Sequence, residues 1–135
     1  MSFSFSFDDA REEISAARRS LQNETGLNWI GDRLLSSRAY AIDAWLVAEG
    51  YSATGSTWDR YALFNEKAPK ALIDRLSELS AGWELLDNQL LGDPDNAVAI
   101  LPVTQWKQLA SEHLEAAEEM IALLEGGSLE CNPTA

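Results

Sequence analysis

The stretch Leu27–Ala48, LNWIGDRLLSSRAYAIDAWLVA, decides how the fold is read. One apolar series runs Leu27, Ile30, Leu34, Ala41, Trp45, Ala48, and a second runs Leu35, Ala39, Ile42, Leu46. Steps of three and four residues return a side chain to the same side of an α-helix, so the two series describe a helix with two apolar faces. Such a helix must be covered on several sides, and Gly31, Ser36, Ser37, Ala39, Ala41 and Ala44 are small enough to let neighbouring backbones approach. The stretch is therefore expected to be a central helix with the other helices packed around it.

Outward toward the N-terminus, Ser6 followed three residues later by Asp9 matches a helix-capping box. Phe7, Ala10, Ile14, Ala17 and Leu21 then recur at helical spacing, which predicts a first helix over 6–23, with Phe3, Phe5 and Phe7 forming an extended lead-in along the bundle. The central helix spans 27–49 and stops at Gly50, which is placed to supply a left-handed cap. After the polar loop YSATGST, a second capping box at Ser56 and Asp59 predicts a short helix over 57–66, whose Trp58, Tyr61, Ala62 and Phe64 would close one end of the bundle.

Pro69 suits the opening turn of a third main helix, and Leu72, Leu76, Leu79, Trp83, Leu86 and Leu90 keep one unbroken register over 69–91. Gly82 lies inside that register and costs about 1 kcal/mol relative to Ala, so a break at Ser80-Ala81-Gly82 is the alternative; the register favours continuity. A crossing, GDPDNAVAILPV, leads to a fourth helix over 103–125. Trp106, Leu109, Ala110, His113, Ala117, Met120, Ile121 and Leu124 line its inner side, and Glu112, Glu115, Glu118 and Glu119 form a solvated outer face. The expected fold is all-α: an antiparallel four-helix up-and-down bundle with one additional short helix. It forms a single domain over 1–127, with a disordered tail over 128–135.

At 135 residues the chain is long enough to bury a core without metals or disulfides. No apolar run approaches membrane-spanning length, and MSFSFSFDDA lacks the basic and apolar regions of a signal peptide, so a cytoplasmic protein is expected. The net charge of −12 with only ten scattered basic residues argues against a phosphate-binding surface, and hence against nucleic acid as a partner.

Chemistry is sparse. His113 is the only histidine and Cys131 the only cysteine. The residue three before His113 is Ala110, so the Glu-x-x-His spacing of di-metal bundles is missing, and no metal site or cofactor is expected. There is no Gly-rich phosphate loop and no nucleophile elbow. Of the five tryptophans, Trp45, Trp83 and Trp106 fall on apolar stripes and read as core, whereas Trp29 and Trp58 sit near element ends. Trp29, Arg33, Arg38, Trp58 and His113 are the candidate ligand- or partner-binding residues, and none is assigned a catalytic role.

DDAREEISAARRSL at 8–21, SSRAYAIDAWLVAEGY at 36–51, the polar loop before Trp58, and TQWKQLASEHLEAAEEMIALLEGG at 104–127 together resemble the HEPN superfamily. These are all-helical prokaryotic domains found in toxin–antitoxin, nucleotidyltransferase-partner and RNA-processing contexts. Nuclease members carry Arg, four to six intervening residues and His; at those distances before His113 this chain has Trp106, Lys107 and Gln108. Lysine lacks the fixed guanidinium fork of arginine. Where members often place a Lys in the second helix, this chain has Asp43. The resemblance therefore implies a non-catalytic binding or regulatory protein. It would act as a homodimer through the first or second helix and the Phe-rich lead-in, or on a nucleotidyltransferase or toxin–antitoxin partner. The alternatives are an enzyme acting on RNA or nucleotides and a small-ligand binder with a pocket near Trp29 and Trp58.

Overall fold

The computed structural model describes residues 5–52, 54–84 and 102–126, and every regular element among them is helical. The expectations for Phe3, for the 85–101 segment and for the tail from 127 onward lie outside the described residues. The described residues include five α-helices: α1 (Phe7–Asn23), α2 (Ile30–Ala48), α3 (Thr57–Lys67), α4 (Lys70–Leu79) and α5 (Val103–Gly126).

Ser6 and Asp9 close the capping box of α1 reciprocally. Asp9 N–H donates to Ser6 Oγ at 3.1 Å, and Ser6 N–H donates to Asp9 Oδ2 at 2.7 Å. The helix ends where Glu24 enters the left-handed region at φ 53°. A single 3-10 turn, Leu27–Trp29, then precedes α2, so the central helix starts three residues later than its apolar series implies. Gly50, at φ 91°, ends α2 as its position predicts. Tyr51 N–H reaches back to the Leu46 carbonyl at 2.8 Å and Gly50 N–H to that of Val47 at 3.0 Å, satisfying carbonyls the helix leaves open.

Helix α2 packs against α1, α5 and α3, and α1 also packs against α5. Its first apolar series buries Ile30, Leu34, Ala41 and Trp45, and its second buries Ile42 and Leu46. Ala48, the last residue of the helix, is exposed. Small residues carry the close approaches, with Ala10 and Ala17 of α1, Gly31, Ser37 and Ala41 of α2, and Ala110 and Ala117 of α5 all buried.

The continuous third helix is corrected by the structure. Helix α4 stops at Leu79, and Gly82 stands at φ 89°, a conformation that ends an α-helix. Trp83 is nevertheless fully buried, because the turn over Ser80–Gly82 brings it back to the core. Of the apolar register, Trp83 is the one position beyond the break among the described residues, and it keeps its side of burial although the helix ends before it. Pro69 is likewise displaced by one position: it precedes α4, and its carbonyl accepts from Leu72 and Ile73 N–H.

The outer face of α5 is not simply solvated. Glu118 pairs with Arg18 of α1 at 2.9 Å, Glu119 pairs with Arg75 of α4, and Glu125 pairs with Arg11 of α1. These exposed pairs contribute about 0–1 kcal/mol each, so they orient helices that apolar burial holds together.

Candidate functional site

A groove of about 280 Å³ lies between α2, α3 and α4. Its floor is Ile42, Ile73 and Leu76, one aromatic wall is Trp58, Tyr61 and Phe64, and its polar end is Arg38, Ser80 and Glu84. Each wall follows from local sequence. The Ser56–Asp59 capping box starts α3 so that Trp58, in the first turn, faces outward while Phe64 turns inward onto Trp45, ring centroids 5.1 Å apart and nearly perpendicular. The turn that ends α4 presents Ser80 and Glu84 to the side chain of Arg38.

Arg38 organises the polar end. Its Nη1–H donates to Ser80 Oγ at 3.1 Å, Nη2–H to Glu84 Oε1 at 3.0 Å, and Nε–H more weakly to the Tyr61 hydroxyl oxygen at 3.4 Å. The guanidinium carbon lies 5.7 Å from the Tyr61 ring centroid and 5.9 Å from that of Trp83, within cation–π range of both. Burial disfavours its charge, but Tyr61 and Glu84 outweigh burial and hold the guanidinium above its ordinary value. For Glu84, burial pushes upward, while its own backbone N–H and Arg38 pull harder, so the carboxyl is held below its usual range. Trp58 is 79% exposed at the rim and meets Tyr61 edge-on at 6.4 Å.

Of the sequence candidates, the groove unites Arg38 and Trp58. Trp29, 59% exposed, is the last residue of the 3-10 turn and does not line this groove. Arg33 pairs with Glu13 of α1 at 3.5 Å. His113 is half-buried on α5 against the Gly82 turn, where burial, partly offset by Glu112, lowers its pKa. Lys107, six residues before His113, is about 120° away around the helix and pairs with Glu24 at 2.9 Å, so the two do not converge.

Two features escaped the sequence reading. Asp43 is fully buried, accepts from Phe5 N–H at 2.7 Å and ion-pairs with Arg60 at 3.1 Å, which fastens the lead-in and α3 to α2. The Phe5 ring stacks on Tyr40 with centroids 3.8 Å apart. A lone acid inside an apolar helix was the available signal. The second is a shallow hollow formed by Phe5, Phe7, Ala44, Val47 and Ala48, with Val47 47% exposed. Val47 belongs to neither apolar series, so periodicity gave it no weight.

Among the described residues no three His, Cys, Asp or Glu side chains gather as metal ligands would, and no helix is long and apolar enough to cross a membrane. Comparisons with protein-family models, with curated proteins and with solved structures found no match.

Proposed function

We propose that this chain is a non-catalytic, HEPN-like binding protein, an antiparallel up-and-down four-helix bundle with one short extra helix, that works by self-association as a homodimer. The observation that carries the reading is the apolar hollow at the C-terminal end of α2. There Val47 and Ala48 are exposed beside Phe5 and Phe7, and the lead-in is held in place by Asp43. Exposed apolar surface that is contiguous and rigidly mounted is what an isologous two-fold contact needs. The acidic charge opposes pairing, but at physiological salt its reach is only about 8 Å. The separation of Lys107 from His113 supports the non-catalytic part of the proposal, since a base and a charge-stabilising cation that act on one phosphate would have to converge on it.

Light scattering after size exclusion tests the dimer. The expected mass is twice that of the chain, and Val47→Glu shifts it to a monomer without loss of helical circular dichroism. A monomer mass for the unmodified chain at all concentrations and in high salt overturns self-association and leaves a second protein, of the nucleotidyltransferase or toxin–antitoxin kind, as the partner class. Cleavage of single-stranded or structured RNA, abolished by His113→Ala, overturns the non-catalytic reading.

A further inference from the structure

We infer that the Arg38 groove binds a small amphiphilic carboxylate: an aromatic body lies against Trp58 and Tyr61, and its carboxylate replaces Glu84 on the Arg38 guanidinium. The inference does not depend on the dimer, since Phe5, Phe7 and Val47 take no part in the groove.

The two partners of the Arg38–Glu84 ion pair differ in their exposure to solvent. The side chain of Arg38 is only 20% exposed, whereas that of Glu84 is 59% exposed. A cation so far out of water needs an anion, because leaving it unpaired forfeits solvation that nothing replaces. Glu84 meets that need from the solvent side, through a flexible side chain whose ordering costs entropy and whose hold is that of a largely exposed ion pair. Arg38 has more to hold it than Glu84: Ser80, Tyr61 and the faces of Tyr61 and Trp83 also locate its planar fork. The more buried, multiply held partner is thus a preorganised carboxylate receptor, and the more exposed partner is an internal competitor.

A carboxylate alone would gain little by exchanging with Glu84, so the net affinity must come from the rest of the ligand. The groove supplies an apolar floor and the exposed face of Trp58, which a flat hydrocarbon body would cover. Its volume of about 280 Å³ lies at the lower limit of ordinary ligand pockets, about 300 Å³, which sets the size of the occupant to one or two fused rings. The net charge of −12 disfavours anions at long range, but ionic screening confines that effect, and within the groove Arg38 provides a matched cation.

Isothermal titration with 1-naphthoate, and with neutral 1-naphthamide as its control, tests the inference; amide NMR spectra follow the Trp58 and Arg38 side-chain N–H signals. The expected result is saturable naphthoate binding that shifts both signals, with naphthamide weaker. Glu84→Ala should tighten naphthoate binding roughly two- to fivefold, the equivalent of removing an exposed ion pair worth about 0.5–1 kcal/mol. Arg38→Gln should abolish the preference for the charged ligand, and Trp58→Ala should weaken both compounds. Because Glu84 and Trp58 are exposed, those variants keep the test intact even if Arg38→Gln unfolds. Equal affinity for the two compounds, unchanged or weaker binding in Glu84→Ala, or no binding to either the unmodified chain or Glu84→Ala at millimolar ligand overturns the inference.

Discussion

Asp43→Ala probes the contact that joins three segments of the chain. Asp43 is a fully buried carboxylate that receives Phe5 N–H at 2.7 Å and faces Arg60 at 3.1 Å. Removing one member of a buried ion pair costs about 3–5 kcal/mol when the survivor stays dry. The Arg60 side chain is 20% exposed and regains part of its hydration, which brings this contribution to about 2–3 kcal/mol. Loss of the charged acceptor for Phe5 N–H adds about 1 kcal/mol. The sum, about 3–4 kcal/mol, lowers the melting temperature of a chain this size by about 10–14 °C. Urea unfolding followed by tryptophan fluorescence reads it as a lower midpoint with an unchanged slope. A double variant, Asp43→Leu with Arg60→Met, removes both charges and should be less destabilised than Asp43→Ala alone. A loss below about 1 kcal/mol for Asp43→Ala, or a double variant worse than the single one, would refute the reasoning.

Trp45→Ala, deleting a buried side chain that meets Phe64 edge-on and stacks with Tyr51, should cost about 3–5 kcal/mol in the same assay. Gly82→Ala discriminates by sign: at φ 89° it should destabilise by about 1–2 kcal/mol, whereas in an unbroken helix it would stabilise by about 1 kcal/mol. His113 has a folded-state pKa below its unfolded value of 6.5, so its neutral form contributes fully above pH 6.5 and stability is lost as the pH falls from there through the folded-state value. Chemical denaturation between pH 7.5 and 5.5 should show that loss, and His113→Gln should flatten it. Glu84 has the opposite chemistry but the same direction: its depressed pKa makes the Arg38 contact present above its unfolded value of 4.5 and lost as the pH falls through the folded-state value.

By itself the sequence determined the helical class, the placement of α1, α2, α3 and α5 to within a few residues, and the tryptophans that belong to the core. These follow from short-range physics. Ser6–Asp9 and Ser56–Asp59 cap within one turn, Gly50 ends a helix through its own φ, and the spacing of Ile30, Leu34, Ala41 and Trp45 states which side is buried. Only the tertiary structure decided where α4 stops, because apolar spacing records the side of burial and is blind to a turn that keeps it, as Trp83 shows after Gly82. It alone decided the role of Asp43, whose partners lie 38 and 17 residues away in the chain. It also decided that Arg38 and Trp58 share a groove while Trp29, Arg33 and His113 stand elsewhere. Partnership between residues distant in sequence depends on how whole helices dock, and a one-dimensional pattern carries no record of which exposed faces will meet.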